Sequence, residues 1–135
     1  MALMKKIMII EDDDSISDAA KLLLERVGYS VTLFSNGDSI MNNEYELPDM
    51  FILDKQLPGV DGLELCEFLK TQHDTKHIPV IMLSASPQIS RLATLSGADD
   101  ALEKPFRMKD LRDMVAKYIN YDDLHSSLKP DDMPK

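Results

Sequence analysis

The stretch KKIMIIEDDDSI, residues 5–16, decides the fold. Four apolar residues, Ile7 to Ile10, run straight into four carboxylates, Glu11, Asp12, Asp13 and Asp14. A short apolar run bounded by charge reads as a strand buried on both faces, and such strands belong to parallel sheets covered by helices. Ending that strand in like charge is costly. Two carboxylates about 4 Å apart repel by roughly 4 kcal/mol at an effective dielectric near 20. Either these acids point into water or a cation joins them.

Working outward, further apolar runs occur at Ser30–Phe34, Met50–Leu53 and Val80–Leu83, with a weaker one at Ala101–Leu102. Helical patterns alternate with them. The first, Ser15 to Val27, carries Ile16, Ala19, Ala20, Leu23 and Leu24 on one face and is followed by Gly28, a C-cap residue. A weaker second begins near Asn36 or Gly37. The third starts at Asp61, with Glu64 placed as in a capping box and Leu65, Cys66 and Leu69 on its buried stripe. The fourth has Ser86 as expected N-cap and Pro87 in its first turn. The fifth repeats Leu111, Met114, Val115, Tyr118 and Ile119 at helical spacing. This predicts a (βα)5, doubly wound five-stranded parallel sheet, for which right-handed crossovers and the flavodoxin-like strand order 2-1-3-4-5 are expected. Residues 4–120 form the expected domain, and residues 121–135 read as a polar tail or the start of a linker.

Composition narrows the function classes. A net charge of −9 disfavours direct nucleic-acid or anionic-membrane binding, which runs on surplus Lys and Arg. The single cysteine, Cys66, excludes an internal disulfide and suits a reducing compartment. No apolar run approaches the roughly 18 residues of a membrane helix, and the start lacks a secretory signal, so a cytoplasmic location is expected.

The chemistry lies where the strands end. Strand 1 ends in Glu11 and Asp12, strand 3 in Asp54, strand 4 in Ser84 and the fifth in Lys104-Pro105. If strands 1 and 3 are neighbours, Asp12 and Asp54 converge on one rim, and carboxylates so placed stay ionised only with a cation between them. A hard ion such as Mg²⁺ suits that donor set. Asp54 is then a candidate nucleophile able to form an acyl phosphate, Lys104 a mobile cation, and Ser84 a hydrogen-bond donor to a phosphoryl group.

Over residues 4–120 these features resemble the receiver domains of two-component response regulators, the chemotaxis regulators among them. Glu11 and Asp12 are similar to the family's acidic pair, and Asp54, in LDKQLPGVDG (residues 53–62), to its phospho-acceptor. The resemblance implies that the Gln56 backbone carbonyl completes the metal shell and that Ser84 is the switch hydroxyl. Lys104-Pro105-Phe106 resembles the Lys-Pro-Phe signature, whose Lys–Pro bond is usually cis, and Gly97-Ala98-Asp99-Asp100 the lead-in to strand 5. By this resemblance the chain is a signalling switch, not an enzyme. It would take a phosphoryl group from a sensor histidine kinase or histidine phosphotransfer protein and act through a downstream protein target or an output domain. One position departs: Ala101 stands where the family usually has an aromatic, three residues before the lysine. The expected exit for the signal is then the loop after Ser84 and the fourth helix.

Other readings compete. An aspartate-nucleophile phosphohydrolase usually carries a second Asp two residues after the nucleophile, where this chain has Gln56. A flavodoxin-like cofactor carrier needs a hydroxyl- and glycine-rich phosphate cradle after strand 1, where this chain has four acids. A degenerate receiver serving as an interaction module keeps the fold without phosphorylation. Asp13 and Asp14 read as helix-start acids, with Asp14 as N-cap, and Asp99 and Asp100 as loop acids. Cys66 reads as core, Leu92 and Leu95 as core packing, and His73, His77 and His125 as surface residues.

Overall fold

The computed structural model of the protein describes residues 4–119. Ten elements alternate in order: β1 (Lys6–Ile10), α1 (Asp14–Val27), β2 (Ser30–Phe34), α2 (Asp38–Met41), β3 (Met50–Asp54), α3 (Gly62–Thr71), β4 (Val80–Ser84), α4 (Ile89–Ser96), β5 (Asp100–Glu103) and α5 (Met108–Ile119). The five strands form one parallel sheet in the order β2-β1-β3-β4-β5. The (βα)5 doubly wound arrangement expected from the alternation is the one observed.

The strand period of two distributes side chains between two cores. Met8, Ile10, Phe51, Leu53, Val80 and Met82 face one side, where Ile40 of α2, Leu65, Cys66 and Leu69 of α3, and Ile89 and Ala93 of α4 cover them. Ile7, Ile9, Met50, Ile52, Ile81 and Leu83 face the other, under Ala20 and Leu24 of α1 and Leu111, Val115 and Ile119 of α5. Every residue of β3 and β4 is buried, as a strand covered on both faces requires.

Several local expectations need correction. The N-cap of α1 is Asp13, whose Oδ1 accepts from Ser15 N at 2.9 Å and Ile16 N at 3.3 Å, so Asp14 falls inside the first turn. At α3 the N-cap is Asp61, but its side chain makes no capping bond; the first amide, Gly62 N, donates instead to Lys55 O at 2.9 Å. Helix α4 begins later than expected, with Gln88 at the cap, because Ser86 is engaged in turns on both sides: its amide donates to Ser84 Oγ and its hydroxyl accepts from Gln88 N. Leu95 is 71% exposed, not core. Asp100 lies within β5, and Asp99 is a structural tie described below. Gly28 caps α1 in the left-handed conformation at φ 118°, as expected. Cys66 is buried, while His73 and His77 are exposed. His125 and the polar tail lie outside the described residues.

Candidate functional site

Register brings the acids together. Ile10 pairs with Leu53, so the residues just past them, Glu11 and Asp54, arrive side by side at the carboxyl rim of the sheet. Glu11 N donates to Phe34 O at 3.0 Å, which extends the strand geometry one residue beyond β1 and turns the Glu11 side chain inward. Glu11 and Asp54 are 2% and 5% exposed, whereas Asp12 is exposed. Carboxylate oxygens of Glu11, Asp12 and Asp54 lie within 4.8 Å of one another.

Lys104 reaches this cluster from the far edge. Its amide donates to Ser84 O at 2.7 Å, continuing the β4–β5 ladder past Glu103. From there its ammonium lies 2.7 Å from Glu11 Oε1 and 3.3 Å from Asp54 Oδ1. The peptide bond that follows, Lys104–Pro105, is cis. Ser84, 3% exposed, ends β4 on the same rim. Gln56 meets Asp54 through its amide, which donates to Asp54 Oδ1 at 3.4 Å.

Electrostatics at this rim are unbalanced. Burial, then a hydrogen bond with Asp54 and that residue's charge, pushes the Glu11 carboxyl up to about 7, against the opposing pull of Lys104. Burial alone would lower the Lys104 ammonium, but its bonds and charge contacts with Glu11 and Asp54 outweigh burial and raise it. Among the described residues, Glu11 Oε2 is buried with no hydrogen-bond partner. Three carboxylates, one of which carries the unsatisfied buried oxygen, fit a divalent cation of the Mg²⁺ class.

Two supporting features were not assigned a role from sequence. A Cβ on Gly62 would sit 2.0 Å from Asp54 O, so only glycine lets the start of α3 pass that close to the strand end. The Asp-Gly pair at residues 61–62 was its only signal. The bond from Ser86 N to Ser84 Oγ, 3.0 Å, fixes the hydroxyl by a backbone group and has no sequence signature. Ala101 is half-buried against the α2–α4 side of the core, opposite Met82.

The sequence profile of the response regulator receiver domain family matches residues 7–116. The chain belongs to that family. Receivers of this kind are the signalling domains of two-component response regulators, and phosphorylation is the basis of their signalling. The chain is similar to the phosphate regulon transcriptional regulatory protein PhoB of Rhizobium meliloti, with 39% identity covering 81% of this chain and 49% of that protein. It is also similar to the DNA-binding dual master transcriptional regulator RpaA of Synechocystis, with 41% identity over 84% of this chain and 47% of that protein. It thus spans about half the length of the curated relatives it matches. The expectation of no nucleic-acid partner therefore applies to this receiver and not to whole proteins of that kind.

Among solved structures, the receiver domain of sensor histidine kinase PA1611 from Pseudomonas aeruginosa superposes with a TM-score of 0.78 at 26% identity. That match covers 87% of this chain and 99% of the other, whose active-site cleft coordinates a magnesium ion. Chemotaxis response regulator CheY4 of Vibrio cholerae matches with a TM-score of 0.78 at 25% identity, over 86% and 99% of the two chains. No helix among the described residues is long and apolar enough to cross a membrane.

Proposed function

We propose that this receiver accepts a phosphoryl group on Asp54 from a histidine kinase or histidine phosphotransfer protein, with Mg²⁺ held by Glu11, Asp12, Asp54 and the Gln56 carbonyl. The observation that carries this is the meeting of three carboxylates within 4.8 Å with the Lys104 ammonium at 2.7 and 3.3 Å. In the transfer, an Asp54 carboxylate oxygen attacks phosphorus, the nitrogen–phosphorus bond of the donor phosphohistidine breaks, and the imidazole leaves with the bonding pair. When bound, Mg²⁺ neutralises charge on the transferring oxygens. Lys104 stands close enough to both carboxylates to exchange a carboxylate oxygen for a phosphoryl oxygen, and the Ser84 hydroxyl donates to a second one. The Lys104 ammonium stands 3.3 Å from Asp54 Oδ1, on the oxygen side where the transferred group arrives.

A concave apolar surface of about 310 Å³, lined by Ile16, Ala85, Pro105, Phe106 and Met108, has Lys104 at its margin. Apolar surface beside the reacting group favours a protein donor over a small free phosphate ester. Residues 4–120 act as the receiver and 121–135 as a connection, and the signal passes to a protein target or to an output domain; the chain spans about half the length of the matched relatives. The chain promotes only its own phosphoryl transfer and loss.

Ala101 favours a second reading, an interaction module that does not use phosphorylation, because the family's aromatic is absent there. Intact-mass measurement after incubation with acetyl phosphate separates the two. One added phosphoryl group, lost with chelator and lost in Asp54→Asn, is the expected result. No addition in a chain shown by calorimetry to bind Mg²⁺ establishes the interaction module instead.

A further inference from the structure

The residues assigned above to phosphoryl chemistry stand on unequal supports. Asp54 and Ser84 end β3 and β4, strands in which every residue is buried, and a strand so covered has its register set by its own side chains. Lys104 follows β5, an edge strand of four residues that pairs with β4 alone. Along β5, Asp100, Ala101 and Leu102 are half-buried and Glu103 is exposed. Its two apolar side chains face opposite cores, Ala101 the one beneath α2, α3 and α4, and Leu102 the one beneath α1 and α5. With alanine at 101, burial discriminates weakly between this register and one shifted by a residue, which exchanges the two faces. The sequence offers the shifted register a foothold, because Asp99 is followed by a second aspartate, Asp100.

Polar bonds at the start of β5 decide between the two. Asp99 N donates to Val80 O at 2.9 Å, and Asp99 Oδ2 accepts from Val80 N and from Lys70 Nζ, both at 2.8 Å. Lys70, on α3, has a side chain only 15% exposed and is itself held in place by Ile78 O, which accepts from its ammonium at 2.8 Å. Asp100 serves other partners. Its Oδ1 accepts from Ala101 N at 2.8 Å and its Oδ2 from the Tyr118 hydroxyl at 2.7 Å. Each aspartate is thus read by a different neighbour, Asp99 from β4 and α3 and Asp100 from α5. At the far end of the strand, Lys104 N meets Ser84 O and the ammonium reaches Glu11 and Asp54.

We propose that Asp99 is a positioning residue for Lys104: by fixing the register of β5 against Val80, it sets where the ammonium arrives at the rim. This rests on the reading of Asp54 as acceptor and Lys104 as its cation. Without the Asp99 carboxylate, Asp100 takes its place beside Val80, and β5 moves by one residue so that Lys104 lies opposite Ser84, where Glu103 lies in the native pairing. That draws Lys104 back from the rim by about 3.3 Å and turns its side chain to the other face of the sheet. Asp99 touches none of the reacting atoms, since it lies beside Val80, at the opposite end of β4 from Ser84.

The test joins cross-strand NOEs between β4 and β5 to the rate of phosphoryl uptake from acetyl phosphate with Mg²⁺, both on the full chain. The native chain shows Met82 opposite Ala101. In Asp99→Ala, Met82 comes opposite Leu102 and uptake slows about fivefold or more. Asp99→Asn removes the same charge but keeps an oxygen for Val80 N, and it holds the native register with uptake within about twofold of native. In a Lys104→Met chain, where there is no ammonium left to misplace, adding Asp99→Ala slows uptake by no more than about twofold further. If Asp99→Ala does not fold, Lys70→Met, which removes one of the two donors to Asp99 Oδ2, decides by slowing uptake about threefold or more, whereas a native rate in that chain overturns the proposal. A native register in Asp99→Ala overturns it, as does equal slowing in Asp99→Asn or a full further loss in the Lys104→Met chain. If the native chain takes up no phosphoryl group, the acceptor reading falls, and the NOEs alone still decide whether Asp99 sets the place of Lys104.

Discussion

Lys104 and Glu11 meet at 2.7 Å across 93 residues of sequence, a closer contact than the 3.3 Å between Lys104 and Asp54. The cation thus goes first to the carboxylate with a fully buried side chain, which has no water to spread its charge. Replacing Lys104 by Met leaves Glu11 either charged without a partner or protonated. Chemical unfolding of Lys104→Met should show a loss of about 3 kcal/mol at neutral pH, the scale for orphaning one member of a buried pair. Phosphoryl uptake from acetyl phosphate should slow by about tenfold or more.

Glu11 also sets a pH dependence. Its carboxyl is raised from 4.5 to about 7 in the folded chain. Below 4.5 folded and unfolded chains both carry the proton, so stability is at its full value. Between 4.5 and about 7 the folded chain keeps a proton that the unfolded chain has released, so stability falls as pH rises, and the fall is complete above about 7. Urea unfolding in chelator should therefore give a lower midpoint at pH about 8 than at pH about 5. If Mg²⁺ binds this rim, it should raise the midpoint more at the higher pH, where Glu11 is ionised.

Gly62 lies against the end of β3, where a Cβ would come within 2.0 Å of Asp54 O, a backbone atom that cannot swing aside. Gly62→Ala should cost about 3 kcal/mol or more, or prevent folding. Gly37→Ala is the control. Its Cβ would meet only side-chain carbons of Leu65 and Val60 at 3.1 Å, which can give way, and thermal unfolding should show a clearly smaller loss.

The cap of α1 distinguishes neighbouring acids. Asp13→Ala removes the acceptor for the amides of Ser15 and Ile16 and should cost about 1 kcal/mol. Asp14→Ala removes only an acid from the first turn and should cost about 0.5 kcal/mol. Equal losses in paired thermal melts would contradict the assignment.

Tyr118 donates to Asp100 Oδ2 at 2.7 Å, and burial together with that bond pushes its hydroxyl up to about 12. Ultraviolet titration of the native chain should show a phenol ionising near that value, and Tyr118→Phe should remove it. The folded chain holds that proton more tightly than the unfolded one, so this contribution is present below pH 10.0 and lost as pH rises through about 12.

The site was more legible in the sequence than its surroundings. Glu11, Asp12, Asp54, Ser84 and Lys104 each follow a run of apolar residues, and strand ends in a parallel sheet all fall on one rim, so their convergence follows from pattern and topology. What pattern could not resolve was which of several equivalent groups makes a given bond. Asp13 and Asp14 are equally able caps, and backbone path alone chose Asp13. Ser86 carries an N-cap residue type, yet its hydroxyl closes a turn before the helix begins. Asp99 looked like a loop acid because its partners, Lys70 and Val80, are distant in sequence. Leu95 carries an apolar residue type, but α4 spends its buried face on Ile89, Ala93 and Ser96.

The pairing of Glu11 with Lys104 also bears on how the protein comes into being. Synthesis runs from the amino terminus, so a nascent chain that has emerged only through β4 already carries Glu11, Asp12 and Asp54 but not the lysine that balances them. Its rim lacks the Lys104 partner of Glu11 and Asp54, and contacts of such long sequence separation form late. The strand that carries Lys104 to the rim, β5, therefore both completes the five-stranded sheet and supplies the counter-charge to Glu11 and Asp54 in one step.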